Sequence, residues 1–175
     1  MSLIKYLKSY STSGTFISSS RTAINKLTND DTFKRAKTIV ELGGGTGKVS
    51  RRILSKMQPD ASLLCFEIQP GFANVLHKIN DPRLQIINDS AVHLLRYVEK
   101  NSVDLIISTL PLSFIKPEER NHLIMDCHTA LKEDGIFRQL SFLYFPQYFN
   151  GVFNSVRTEF AVIGIPPAVL YFCLK

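Results

Sequence analysis

The sequence predicts an α/β protein: a doubly wound, mostly parallel seven-stranded sheet closed by a C-terminal antiparallel hairpin. Two observations carry this. Between Thr38 and Phe142, short apolar runs alternate five times with segments of helical periodicity, the pattern of βαβ units whose sheet is covered on both faces. Beyond that, Phe160–Ile165 and Ala168–Leu174 are two strand-like runs separated only by Pro166-Pro167, a tight connection that joins antiparallel neighbours.

The elements follow in order. Leu3, Ile4 and Leu7 form an apolar stripe at helical spacing with Lys5 and Lys8 on its flanks, followed by a small-residue stretch from Ser9 to Ser20. A second helical pattern covers Arg21–Leu27, and Asn29-Asp30-Asp31 supplies a break and a cap. Strands are expected at Thr38–Leu42, Ser62–Phe66, Leu84–Ile87, Val103–Ser108 and Gly135–Phe142. Helices are expected at Lys48–Met57, Phe72–Ile79, Val92–Glu99 and Glu118–Leu131. This divides the chain into a basic helical segment, residues 1–36, facing substrate or membrane, and a main domain, residues 37–175.

The 175 residues allow one core, and 45% apolar with 21% charged residues is ordinary for a globular domain. Cys65, Cys127 and Cys173 lie apart, each inside an apolar run. That favours buried reduced thiols and a cytoplasmic setting over a disulfide framework. No run approaches the roughly 20 apolar residues of a membrane span, and no signal peptide is evident. His77, His93, His122 and His128 show no ligand spacing, so no metal is expected. The charge is unevenly placed. Residues 1–40 hold seven basic and two acidic groups, while the other 135 hold 14 and 13. Such an end suits a polyanionic surface, either phospholipid headgroups or nucleic acid.

The chemistry centres on Ile39-Val-Glu-Leu-Gly-Gly-Gly-Thr-Gly47, a strand running into glycines at 43, 45 and 47. Glycines there let the backbone approach a ligand, and the amides opening the next helix face it. Dinucleotide folds space the same residues as Gly-x-Gly-x-x-Gly. Here the spacing is Gly-x-Gly-x-Gly, and Glu41 precedes it. A carboxylate there repels a pyrophosphate but can accept from the ammonium of a methionine moiety. Glu67 ends the next strand, where it can grip ribose hydroxyls. Asp89 follows the third, within reach of an adenine amino group. Singly, Glu41 reads as a surface acid and Asp89 as a helix cap. Jointly, at the ends of successive strands, they read as one site.

These motifs, with the Asp104–Leu112 run, resemble the ordered signature of the class I S-adenosylmethionine-dependent methyltransferases, whose sheet is Rossmann-like. The resemblance implies S-adenosylmethionine as cofactor, S-adenosylhomocysteine as product, and a binding set of Glu41, Gly43, Gly45, Gly47, Glu67, Ile68, Asp89, Ser90 and Ser108. It also places the methyl acceptor at Ser108-Thr109-Leu110-Pro111-Leu112. Base-amine methylating families carry an aromatic ring in the last of these positions, where this chain has Leu112.

A nearer resemblance is to the small bacterial phospholipid N-methyltransferases. It rests on Gly14-Thr15-Phe16-Ile17-Ser18-Ser19-Ser20-Arg21, Ser108–Leu112, Phe142-Leu143-Tyr144 and Ile165-Pro166-Pro167-Ala168. This resemblance implies methylation of phosphatidylethanolamine toward phosphatidylcholine, with reversible docking on anionic membrane. Lys5, Lys8, Phe16, Arg21 and Pro111 would meet the membrane or substrate. The Thr109 and Leu110 carbonyls would orient the amine, and Tyr144 would hydrogen-bond it. Phe142, taken alone, reads as core packing, and the N-terminal stripe reads as docking at the membrane interface, with packing on the domain as its alternative. One departure is Gly44, where the family often has proline, with a small expected effect on binding. Two other readings stay open: a methyltransferase of rRNA adenine or other nucleic acid, and a module that binds the cofactor without catalysis.

Overall fold

The computed structural model describes residues 21–161 and 168–175. The chain enters through helix α1 (Arg21–Thr28), which turns its Ala23, Ile24 and Leu27 inward. A 3₁₀ turn at Asp31–Lys34 follows, capped by Asp30 accepting from the Thr32 N–H at 2.9 Å. Then come β1 (Thr38–Leu42), α2 (Lys48–Leu54), β2 (Ser62–Phe66), α3 (Pro70–Leu76), β3 (Leu84–Ile87) and β4 (Val103–Ser108). Helix α4 (Pro117–Ala130), β5 (Leu131–Ser141), β6 (Ser155–Ala161) and β7 (Ala168–Leu174) complete it.

The seven strands form one sheet in the order β3-β2-β1-β4-β5-β7-β6. Strands β1 to β5 run parallel, and β7 runs antiparallel to both β5 and β6. This is the fold the sequence predicts. Its two cores follow the period-2 alternation of strands. Ile39, Leu63, Leu105, Ile107, Leu140 and Leu170 face α1 and α2. Val40, Leu42, Ile106, Phe137 and Tyr171 face Leu94 and the α4 residues Leu123, Ile124 and Cys127. Residues 21–36 belong to the first of these cores, with Leu27, Phe33 and Ala36 buried beside the sheet residues.

Several elements differ from expectation, among them β5, which begins four residues before Gly135, and α2, which ends three before Met57. The segment expected as a helix at Val92–Glu99 is a 3₁₀ turn, Ala91–Arg96, broken at His93. Its first turn is drawn away from α geometry by Asp89, whose Oδ1 accepts from the Ser90 N–H at 2.6 Å and meets His93 Nδ1 at 2.9 Å. Helix α3 begins and ends earlier than Phe72–Ile79, because Pro70 suits a first helical position. Strand β6 begins at Ser155, five residues earlier than expected, since Ser-Val-Arg-Thr-Glu is a polar edge strand paired on one side only. The expected continuation to Ile165 and the proline pair lie outside the described residues, as do the N-terminal stripe, Lys5, Lys8 and Phe16.

Candidate methyl-transfer site

The carboxyl ends of β1, β2, β3 and β4 bring the expected cofactor residues to one edge of the sheet. Parallel register places Glu41 beside Cys65 and Ile107, and Leu42 beside Phe66 and Ser108. The glycine turn then folds back over β2. Gly43 and Gly44 both donate to the Phe66 carbonyl, at 2.9 and 3.1 Å. Gly43, Gly45 and Gly47 all hold positive φ, at 88°, 50° and 77°, a conformation that costs glycine nothing.

Gly44 is fixed by packing rather than by dihedral. A Cβ there would lie 2.4 Å from Cys65 Sγ and 2.7 Å from Leu76 Cδ1. A proline would also remove the N–H that bonds Phe66, so the departure from the resembled family matches this chain's own β2 and α3. Gly44→Ala is expected to cost about 1–3 kcal/mol of stability through overpacking; an unchanged thermal midpoint would show that the turn can yield.

Glu67 clamps the turn. Its Oε2 accepts from the Gly45 N–H and its Oε1 from the Gln69 N–H, both at 2.8 Å. Each oxygen keeps a lone pair for a further donor such as a ribose hydroxyl. Burial raises its pKa, an effect those backbone N–H bonds oppose. Glu41 is fully buried, and neither of its oxygens has a hydrogen-bond partner among the described residues. Burial pushes its carboxyl up to about 7; the Ser50 hydroxyl and the Cys65 thiol, which meet each other at 3.8 Å, oppose that shift from nearby without reaching hydrogen-bond geometry to it. An unpaired buried carboxylate is costly, and a cationic ligand at this edge would supply what it lacks.

Asp89 lies half-buried after β3 with Ser90 beside it, and Ile68 lies half-buried after β2. Besides Ser90 and His93, Asp89 takes a hydrogen bond from the Tyr97 hydroxyl at 2.8 Å. The His93 and Tyr97 bonds hold its carboxyl down at about 2, so it is ionised at neutral pH. The following turn is capped by Ser90, whose Oγ accepts from the Val92 N–H at 3.5 Å, and not by Asp89 itself.

The Ser108–Leu112 turn, where the resemblance expects the methyl acceptor, rests on the glycine turn. The Thr109 N–H donates to the Leu42 carbonyl at 3.0 Å, and Thr109 Oγ1 to the Gly43 carbonyl at 2.8 Å. A Cβ at Gly43 would lie 3.0 Å from Leu110 Cδ2 and 3.3 Å from Thr109 Oγ1. Ser108 is buried, its Oγ accepting from the Leu110 N–H at 3.3 Å. One expectation needs correction. The Leu110 carbonyl already accepts from Gln139 Nε2 and from the Leu112 N–H, both at 2.9 Å, which fills its two lone pairs. It is a structural acceptor, not a free one for an amine. Pro111 is half-buried and Leu112 is buried.

Tyr144 follows β5, 62% exposed, its ring stacked 6.1 Å from that of Phe160. Tyr171, unmarked in the sequence reading, holds the backbone on either side of it. Its hydroxyl accepts from the Phe145 N–H at 2.6 Å and donates to the Leu143 carbonyl at 3.1 Å. Phe142 is half-buried against the α1–α2 core, and Arg21 is exposed at the start of α1. Among the described residues, no group of three or more His, Cys, Asp or Glu can hold a metal ion, and no helix is long and apolar enough to cross a membrane.

Comparison with known proteins agrees with this geometry. A methyltransferase domain model matches residues 39–135, spanning β1 to the early part of β5. The ornithine lipid N-methyltransferase of Singulisphaera acidiphila is 25% identical over 148 residues, 81% of this chain and 77% of the relative. Ribosomal RNA small subunit methyltransferase H of Polynucleobacter necessarius is 35% identical over 75 residues, but those cover only 43% of this chain and 24% of that relative. In structure, the 1,6-didemethyltoxoflavin-N1-methyltransferase of Burkholderia thailandensis, solved with S-adenosylhomocysteine bound, superposes with a TM-score of 0.77 at 11% identity. The match covers 99% of this chain and 86% of that one. With over half its length matched by the domain model, the chain belongs to the methyltransferase domain family and is a class I S-adenosylmethionine-dependent methyltransferase.

Proposed function

We propose that this enzyme methylates the headgroup amine of a membrane phospholipid, carrying phosphatidylethanolamine toward phosphatidylcholine. The observation that carries the reading is an exposed apolar patch just after β5 and at the end of β6. Leu143, Tyr144 and Phe160 are 51%, 62% and 51% exposed, and two of them stack on each other. Aromatic and aliphatic side chains exposed together suit the boundary between headgroups and acyl chains. The basic charge of residues 1–40 suits the anionic leaflet, at about 1 kcal/mol for each basic group near the surface. A relative named for N-methylation of a lipid, aligned over most of both chains, points the same way.

The proposed chemistry is an in-line displacement. The amine lone pair attacks the sulfonium methyl carbon, the carbon–sulfur bond breaks, and its electron pair returns to sulfur. Catalysis is then chiefly alignment. The amine must be neutral to attack, although an alkylammonium has a pKa of about 10, so a partly desolvated mouth favours the reactive form. The Thr109 carbonyl and the Tyr144 hydroxyl would orient it. The Tyr144 ring can stabilise growing positive charge at roughly 0.5–2 kcal/mol.

Incubation with methyl-labelled S-adenosylmethionine and vesicles of phosphatidylethanolamine, vesicles of ornithine lipid, or rRNA tests the reading. Label is expected in phosphatidylethanolamine. Label in ornithine lipid alone would keep a lipid amine but change the headgroup. Label in rRNA alone would replace the reading, and label in none would leave it without support.

A further inference from the structure

Asp89 stands just past the end of β3, and its carboxylate is held by three donors. Oδ1 accepts from the Ser90 N–H at 2.6 Å and meets His93 Nδ1 at 2.9 Å, while Oδ2 accepts from the Tyr97 hydroxyl at 2.8 Å. The carboxylate is ionised at neutral pH and can only accept, so His93 carries a proton on Nδ1. The 3₁₀ turn breaks at His93, at φ −99° and ψ 16°, and that ring reaches back four positions to Asp89. A carboxylate offers about four acceptor positions, two on each oxygen. Oδ1 has both filled, and Oδ2 keeps one, with no second partner among the described residues. Of the three contacts only the one at Oδ2 is solvent-exposed, and the whole side chain is 28% exposed. The open position is therefore on the accessible oxygen. It also lies beside the cofactor turn. Tyr97 sets its ring edge-on to Phe66, centroids 5.4 Å apart, and the Phe66 carbonyl receives the Gly43 and Gly44 N–H groups. Asn88, next to Asp89, donates from Nδ2 to the Glu67 carbonyl at 2.7 Å, and the Glu67 carboxylate holds Gly45.

We propose that His93 and Tyr97 are positioning residues that select the purine of the cofactor, holding Asp89 so that the one open position on Oδ2 takes an N–H of the adenine 6-amino group. This goes beyond the lipid reading and rests only on the cofactor. Selection is by hydrogen-bond polarity. A 6-amino group brings a donor to Oδ2, whereas a 6-oxo group sets an oxygen against an ionised oxygen and is disfavoured. The three donors also decide how an amide at this position would face. In Asp89→Asn, the Ser90 N–H and His93 Nδ1–H keep the carbonyl oxygen at the Oδ1 position, so the amide nitrogen falls at Oδ2. The Tyr97 hydroxyl then turns to accept one amide N–H, and the other N–H occupies the open position. A site built to read an amino group would then read an oxo group.

The test measures calorimetric affinity for S-adenosylhomocysteine and for S-inosylhomocysteine, which carries oxygen in place of the 6-amino group. Wild type is expected to favour the adenine compound by roughly 10-fold to 100-fold. Tyr97→Phe and His93→Phe each keep a ring and remove one donor, leaving the carboxylate free to swing and to take water instead. Each is expected to lower that ratio by about 3-fold to 10-fold. Asp89→Asn is expected to erase the preference or invert it toward the inosine compound. A residue that merely braced the turn would weaken both compounds alike. An unchanged ratio in Tyr97→Phe or His93→Phe would therefore overturn the role of the residue removed, even where both affinities fall. Should those variants fold poorly, Asp89→Asn decides, and an undiminished adenine preference there would overturn the proposal. So would a wild type with no preference. Wild type that binds neither compound would instead remove the cofactor reading, and this proposal with it. None of these ratios bears on which amine is methylated.

Discussion

Glu41→Gln is expected to stabilise the cofactor-free protein at pH 8 while weakening its hold on S-adenosylmethionine. The carboxylate is fully buried with both oxygens unpartnered among the described residues, and burial pushes its pKa up to about 7 from an unfolded value of 4.5. The sign follows from linkage. Between those two values the folded state keeps a proton that the unfolded state has lost, so this group makes stability fall as pH rises from about 4.5 to about 7 and leaves it level above. The integrated penalty at pH 8 is on the order of 3 kcal/mol. Glutamine removes the charge, so the variant's thermal midpoint should exceed the wild-type value at pH 8 and match it near pH 4.5. Binding moves the other way. A ligand ammonium near Glu41 supplies a charge-assisted hydrogen bond, and its loss should cost roughly 10-fold to 100-fold in affinity. Such a ligand also draws the Glu41 pKa down, so wild type should release protons on binding S-adenosylhomocysteine near pH 6.5, read as a buffer-dependent heat. Equal midpoints at pH 8 would show that the buried carboxylate carries no such penalty, and equal affinities that Glu41 does not face the cofactor.

Both halves of that prediction start from a residue legible in the sequence, and the reason is local. A carboxylate two positions before a Gly-x-Gly-x-Gly turn marks the end of a strand, and β1 to β4 fall on the very residues their apolar runs delimit. The inner strands β1, β2 and β4 must read as apolar, so their bounds show, while edge strand β3 is delimited by Pro82 before it and Asn88-Asp89 after it. The bounds of edge strand β6 do not show, because one of its sides meets solvent and tolerates Arg157 and Glu159. Gln139 and Arg138 are illegible for a different reason. A polar pair inside Gly135–Phe142 is visible as an anomaly, but their partners lie about 29 and 106–111 residues away in sequence. Only the fold says that Gln139 meets the Ser108–Leu112 turn and that Arg138, on the opposite face, meets α1. The role expected of the Leu110 carbonyl fails through the same long-range contact.

Arg138 carries the other large effect. It is completely buried, its guanidinium donating to the Leu27 carbonyl at 2.6 Å, Asp30 Oδ2 at 2.6 Å and Thr32 Oγ1 at 2.7 Å, with the Phe33 and Phe172 rings about it. One side chain on β5 thus satisfies the last turn of α1 and the cap of the following 3₁₀ turn. Removing a single partner from such a pair leaves the other uncompensated, at roughly 3–5 kcal/mol, whereas apolar replacement of similar volume costs much less. Asp30 keeps 41% of its side chain exposed, so solvent screens its side of the pair. Asp30→Ala should lower stability by about 1–3 kcal/mol, Arg138→Ala by about 2–4 kcal/mol through lost packing and the freed Leu27 carbonyl, and Arg138→Met by about 1–3 kcal/mol, since methionine refills the space between the rings. Although burial alone would raise the Asp30 pKa, pairing with Arg138 outweighs it and lowers the value below 3.8. The pair's contribution is accordingly complete above that pH and lost only as pH falls through the depressed folded value. The cofactor turn lies at the ends of β1 and β2, away from these contacts, so Arg138→Met should retain S-adenosylhomocysteine affinity. What it loosens is the anchorage of residues 21–36, through which the basic N-terminal segment joins the sheet. Methylation of lipid in vesicles should then fall several-fold while cofactor affinity holds. Equal loss of both would show that the anchor and the cofactor site form one cooperative unit.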